Sequence, residues 1–219
     1  MSSTADLRDR LTRVGRQLFA DGLTYGTMGN ISARMEDPSM CLIKPSGYRF
    51  CDLKPVHFIV VDIDTRDVVE GDAKPSTETP FHTRLYKQRQ EAGGVVHIHP
   101  KYSTILSITG REIVPMGLDL HQAPALAKGI PLSRFAPPGT EELADSLVEA
   151  MKDHVACLMP QHGVTTIGKT IEEAAVNAKV VEALAELQYN VTLVAEPVPL
   201  PDSMLEMLVK IAKEKGLLV

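Results

Sequence analysis

Apolar residues at Leu7, Leu11, Val14 and Leu18, with Phe19 beside the last, follow helical spacing and predict a helix over 5–20. Asp21-Gly22 is its stop, since glycine takes the left-handed conformation at a helix end without strain. Residues 25–32 are too glycine-rich for a helix and run into the alternation of a strand. A second short strand over 41–44 ends at the turn Pro45-Ser46-Gly47. The β-branched run 57–63 predicts a third strand, with 67–70 pairing to it across a turn. Pro80 suits the first turn of a helix that continues over 81–90.

The same alternation and spacing carry through the second half of the chain. Gly93-Gly94 and Pro100 bracket the apolar run Val95-Val96-His97-Ile98, a short buried strand with a turn at each end. A short helix over 102–109 follows, and 115–138 is rich in proline and glycine and receives no element. Residues 140–153 read as an amphipathic helix, 155–159 as a buried strand, and 164–167 as a strand after the turn Gln161-His162-Gly163. Thr170 and Glu173 have capping-box spacing and open a long helix. Its stripe of Val176, Val180, Leu184, Leu187, Val191 and Val194 reads as core packing. Pro197, Pro199 and Pro201 stiffen the connection to a last helix over 203–215. Strands and helices mix without a regular βαβ rhythm, so the expectation is one α+β or layered α/β/α domain over 1–219.

Composition narrows the partners. The chain has 219 residues, 44% hydrophobic and 23% charged, as expected of one ordinary globular core. A formal net charge of -5 argues against a broad nucleic-acid face but leaves room for a local phosphate pocket. The charged residues Asp6, Arg8, Asp9, Arg10 and Arg13 speak against a signal peptide, and no apolar run reaches the length of a membrane span. Cys41, Cys51 and Cys157 form no Cys-x-x-Cys pair, which suits reduced thiols in a cytoplasmic protein.

The candidate chemistry gathers around two histidines. His97 and His99 are two apart on a strand and therefore share a face. They make half of a metal site, and catalytic zinc needs a third protein ligand and an open position. An isolated His-x-His reads more simply as one core and one exposed histidine, so the rest of the chain must decide. His162 lies in a turn directly after a buried strand, where a ligand could meet a second strand edge. Glu78 stands at a helix start, where a carboxylate also offsets the helix dipole. Gly29-Asn30, Ser46-Gly47 and Ser76-Thr77 are three small polar turns that could together surround an anion with N–H, amide and hydroxyl donors.

Five motifs occur in order: Gly29-Asn30-Ile31-Ser32, Lys44-Pro45-Ser46-Gly47, Lys74-Pro75-Ser76-Thr77-Glu78, His97-Ile98-His99 and Gln161-His162-Gly163. In order and spacing they resemble the class II aldolase/adducin family over nearly the whole chain. The resemblance implies a three-layer α/β/α fold with a central, largely antiparallel sheet, assembled as a homotetramer with active sites at subunit contacts. It implies Zn2+ on His97, His99 and His162, with Co2+ or Mn2+ as substitutes, and Glu78 as the catalytic acid/base. Gly29, Asn30, Ser46, Gly47, Ser76 and Thr77 would hold the phosphate of a small phosphorylated sugar or sugar acid.

Zinc as a Lewis acid suits cleavage beside a ketone through a metal-stabilised enediolate. A carboxylate could shuttle the proton if its surroundings raise its pKa. The expected reaction is cleavage of a ketose 1-phosphate to dihydroxyacetone phosphate and an aldehyde. The alternatives are a 3-oxo-tetronate 4-phosphate decarboxylase, a pentulose-5-phosphate 4-epimerase, a methylthioribulose-phosphate dehydratase and a non-enzymatic adducin-like domain. Glu78 sets the chain apart from the 4-epimerases, which usually carry aspartate there. The two tyrosines that fuculose-phosphate aldolases use are replaced here by Leu118 or Asp119 and by Lys215. His121 is the nearby group that could stand in as a proton donor.

Overall fold

The computed structural model describes residues 3–219. Helix α1 (Thr4–Ala20) is capped by Ser3, whose Oγ accepts the Asp6 N–H at 3.2 Å, a contact that contributes about 1 kcal/mol. Strands β1 (Asn30–Arg34), β2 (Met40–Ile43), β3 (Ile59–Asp62) and β4 (Val68–Glu70) then form a meander. After helix α2 (Thr79–Gln88), strand β5 (Gly94–Ile98) enters beside β1. Helices α3 (Lys101–Thr109) and α4 (Glu141–Ala150) precede the hairpin β6 (Ala156–Met159) and β7 (Gly163–Gly168). Helices α5 (Ile171–Thr192) and α6 (Asp202–Glu214) complete the chain.

The seven strands form one sheet of order β4-β3-β2-β1-β5-β7-β6, and every neighbouring pair is antiparallel. Alternation along β1 and β5 assigns the layers. Ile31 and Gly94 face α1 and α5, whereas Ser32 and His97 face α2, which packs on α4. This is the expected three-layer arrangement around an antiparallel sheet.

Gly94 and Gly168 are partners across β5 and β7, directly beneath the start of α5. A Cβ on Gly94 would lie 2.5 Å from the Ile171 Cα, and one on Gly168 2.5 Å from the Ala174 N. So close an approach selects small residues on the helix as well. The buried face of α5 is accordingly built from Ala174, Ala175, Ala178, Val181, Leu184 and Ala185. This corrects the stripe read as core packing: Val180 and Leu184 are buried, but Val176, Leu187 and Val194 are exposed.

Three other expectations shift. The third strand starts later, because Pro55–His57 forms a 3-10 turn ahead of it. The unassigned stretch holds two 3-10 turns, Leu118–His121 and Pro124–Lys128, anchored by buried Leu120 and Leu126. Only half of the capping box forms. Thr170 Oγ1 accepts the Glu173 N–H, but the Glu173 carboxylate accepts from Lys169 N at 3.0 Å and Leu218 N at 2.7 Å. One buried carboxylate positions the next segment. Glu182 of α5 accepts the N–H groups of Tyr102 and Ser103, each at 2.8 Å, and so caps α3 just after His99-Pro100.

Candidate metal centre

His97 sits near the end of β5, fully buried, opposite Asn30 on β1 and Thr165 on β7. His99 lies just beyond the strand end. His162 is presented from the β6–β7 turn by Gln161, a non-glycine residue at φ 58°. Antiparallel pairing of Ile98 with Val164 brings the end of β5 beside the start of β7, so the third histidine meets the first two. The ring centroids form a near-equilateral triangle of 4.7, 4.8 and 4.7 Å, each ring edge-on to the others. One ligating nitrogen from each ring falls within a span of 4.8 Å.

These donors fit a metal ion. The Val164 carbonyl can only accept, so His97 Nδ1 carries the hydrogen at 3.0 Å and Nε2 is turned to the centre of the triangle. Burial pushes His99 down to about 3 and His162 down to about 4, helped by the neighbouring His97. Both are therefore neutral at ordinary pH, the form a metal takes. Three protein ligands opening on a cleft match a catalytic site better than a closed structural one.

Glu78 occupies the N-cap position of α2 but makes no side-chain cap bond. Its Oε2 lies 3.1 Å from His97 Nε2 and accepts the Asn30 Nδ2–H at 2.7 Å, while Oε1 lies 3.3 Å from His162 Nε2. Burial pushes its carboxyl up. Against that, the neighbouring His97 above all, then the Asn30 N–H and His162, hold it well below the usual range. The expectation that its surroundings raise the pKa is thus reversed, and Glu78 stands as a carboxylate ready to take a proton.

A cleft of about 390 Å³ joins these parts. Its walls include Gly29, Asn30, Ser46, Gly47, Ser76, Thr77, Glu78, His99 and His162, all expected from the sequence. Gly29, at φ 78°, lies so close to β5 that a Cβ would stand 2.6 Å from the His97 oxygen. The Ser46 N–H donates to the Lys74 oxygen at 3.0 Å, which ties two of the polar turns together. The Asn30 side chain is already engaged by Glu78 and His82, unlike the free donor the sequence suggested. His121 instead lines a separate apolar groove with Leu118 and Met204, and neither it nor Lys215 borders the cleft.

Lys44 is the charged residue of the cleft to which the sequence reading gave no role. It is 1% exposed, and its ammonium group has two long carbonyl contacts, Thr27 at 3.4 Å and Pro45 at 3.5 Å. Among the described residues it forms no ion pair, and burial pulls its pKa down to about 8, partly offset by Glu78. A lysine ending the apolar run Cys41-Leu42-Ile43 was the available signal.

The family model described as Class II Aldolase and Adducin N-terminal domain matches residues 9–189. The chain belongs to the class II aldolase and adducin family. It is 37% identical over 212 residues to a 5-methylthioribulose-1-phosphate/5-deoxyribulose-1-phosphate aldolase of Rhodospirillum rubrum, covering 96% of this chain and 92% of that one. It is 30% identical to a 5-deoxy-D-ribulose 1-phosphate aldolase of Bacillus thuringiensis, covering 93% of each chain. A solved L-fuculose 1-phosphate aldolase superposes with a TM-score of 0.88 at 29% identity, over 95% of this chain and 96% of that one. Class II aldolases are metal-dependent, and the three histidines are the group suited to holding an ion among the described residues.

Proposed function

We propose that the protein is a zinc-dependent lyase that cleaves a ketose 1-phosphate of the ribulose type to dihydroxyacetone phosphate and an aldehyde. The observation that carries this reading is the triangle of three histidines, two of which line one cleft together with a carboxylate and a buried lysine that has no ion pair among the described residues. Relatives acting on 5-deoxyribulose 1-phosphate, 5-methylthioribulose 1-phosphate and L-fuculose 1-phosphate support it. Zinc held by His97, His99 and His162 would supply a Lewis acid for charge developing on the substrate's oxygens.

The chain's own groups do the rest. Ser46, Gly47, Ser76 and Thr77 offer backbone and hydroxyl donors to the phosphate, with Gly29 allowing close approach. Lys44 adds the positive charge they lack, and fixing the phosphate orients the reacting carbons. In cleavage, the hydroxyl that becomes the aldehyde carbonyl gives up a proton and the carbon left on the phosphate fragment gains one. The Glu78 carboxylate takes up the first at Oε1, since Oε2 is occupied by Asn30, and delivers it to that carbon. The same oxygen removes it in the reverse direction.

We take the assembly as a cytoplasmic homotetramer with the cleft at a subunit contact, acting on neither nucleic acid nor membrane. Exposed Leu118, Leu187 and Val194 support self-association, and no helix among the described residues is long and apolar enough to cross a membrane. The test is proton–deuterium exchange on dihydroxyacetone phosphate in heavy water, followed by cleavage of 5-deoxyribulose 1-phosphate. Exchange is expected with zinc-loaded protein and lost after chelation or in Glu78→Gln. No exchange by the loaded protein would count against the aldolase and send the search to 3-oxo acid phosphates.

A further inference from the structure

Helix α2 and strand β1 face each other with polar residues where a core would be expected. On α2, Glu78, His82 and Tyr86 recur every four residues, a step of about 6 Å along a helix. On β1, Asn30 and Ser32 are two apart, a step of about 6.6 Å along a strand. The two steps are nearly commensurate, so the side chains interleave. Glu78 Oε2 meets Asn30 Nδ2 at 2.7 Å, and Asn30 Oδ1 meets His82 Nε2. His82 Nδ1 meets Ser32 Oγ at 2.7 Å, and Ser32 Oγ meets the Tyr86 hydroxyl at 2.8 Å. His82, Ser32 and Tyr86 are all fully buried.

The chemistry of the groups fixes the direction of every bond. A carboxylate oxygen accepts, so Asn30 presents its NH2 to Glu78. The amide oxygen left over also only accepts, so His82 Nε2 must carry a hydrogen. Burial holds His82 neutral, down to about 3, and its Nδ1 is therefore an acceptor for the Ser32 hydroxyl. Ser32 Oγ in turn accepts from the Tyr86 hydroxyl. The chain of bonds runs one way, from Tyr86 to the carboxylate, and each bond polarises the next.

We propose that His82 is a positioning residue, which through this one-way chain locks the Asn30 amide with its NH2 toward Glu78 and so holds the carboxylate over the three histidines. Without the Nε2–H, the amide oxygen has no donor and the carboxylate alone orients the amide, so the Asn30–Glu78 pair is free to shift off the site. The proposal rests on the aldolase reading for its consequence in turnover, but the hydrogen-bond order stands independently of substrate.

Two substitutions separate positioning from simple structural support. Glutamine at this position places its amide nitrogen where His82 Nε2 stands and keeps the bond to Asn30. Asparagine reaches only the Nδ1 place and keeps the bond to Ser32. In zinc-loaded protein, His82→Asn is expected to lower kcat about 10²-fold, the cost of a misplaced group, with little change in KM. His82→Gln is expected to stay within about threefold of the natural protein, even if both variants melt lower. Equal loss in the two, or no loss in His82→Asn, would overturn the proposal.

The second measurement uses the unmodified protein without substrate. Nitrogen-15 NMR of labelled histidines, with the His82 signals assigned by their absence in His82→Gln, should show the hydrogen on Nε2. A hydrogen on Nδ1 refutes the one-way chain. If the ring is as stated but no ketose 1-phosphate is turned over, the functional reading fails and the hydrogen-bond chain survives.

Discussion

Strands β1 and β5 show two very different faces to their two helix layers. Toward α5 they offer Gly94, Val96 and Ile98, under a helix so close that a side chain at Gly94 would strike its backbone. Toward α2 the same strands offer Asn30, Ser32 and His97, and the helix answers with Glu78, His82 and Tyr86. One face is held by dry contact and the other by directional hydrogen bonds. The alternation of a strand lets the first supply rigidity while the second carries groups that must be aimed. A site built on such a strand inherits precision from contacts it never touches.

If that division holds, changes on the α2 face should cost turnover, and changes on the α5 face should cost stability. The largest effect is expected from Glu78→Gln, which should lower kcat by about 10²- to 10⁴-fold; a thermal melt should show a lesser loss, since a carboxyl held low in the folded protein favours folding at neutral pH. Gly94→Ala should do the reverse. Its added Cβ would meet the Ile171 Cα at 2.5 Å, and denaturant unfolding should show a loss of about 3 kcal/mol. Its kcat per folded molecule should be unchanged.

Lys44→Met sharpens the comparison, because it should separate the two costs within one residue. Losing a charge-assisted contact should raise KM for the phosphorylated substrate about tenfold. The folded protein should nevertheless become more stable at neutral pH, by up to about 3 kcal/mol, because a buried ammonium with its pKa lowered to about 8 opposes folding. That gain should be full below about pH 8 and vanish as pH rises toward 10.5, where the unfolded lysine also loses its proton. The smallest effect concerns His82, neutral when folded and titrating near 6.5 when unfolded. Stability should therefore fall as pH drops below 6.5, and the slope should be about one proton shallower in His82→Gln.

Most of the architecture was legible because its elements are strongly periodic. The α1 stripe, the β-branched strands and the glycine- and proline-marked turns all lie close to where their patterns place them. The cleft was legible for another reason: histidines, a carboxylate and small polar turns are residue types with few roles in common. What escaped was set by contact rather than by local pattern. The stripe on α5 misled because proximity to Gly94 and Gly168 favours alanine over the bulkier Val176 and Leu187. His82 and Tyr86 escaped because a polar residue in a helix ordinarily faces water. Only β1 laid against α2 reveals that they face Asn30 and Ser32. Lys44 escaped because its burial depends on Phe50 and the 27–28 turn closing over it.

The paired glycines at the far end of β5 and β7 carry a consequence for how the chain finds its register. A slip of one residue between these strands would send His97 to the α5 side, His99 turning with it, and separate both from His162. Any such slip would also push Val95 or Ile167 beneath the first turn of α5, where the backbone leaves no room for a side chain. Gly94 and Gly168 therefore act as a keyway that admits one alignment of β5 with β7. The spacing of the three histidines is thereby settled at the opposite end of the strands, before any ion arrives.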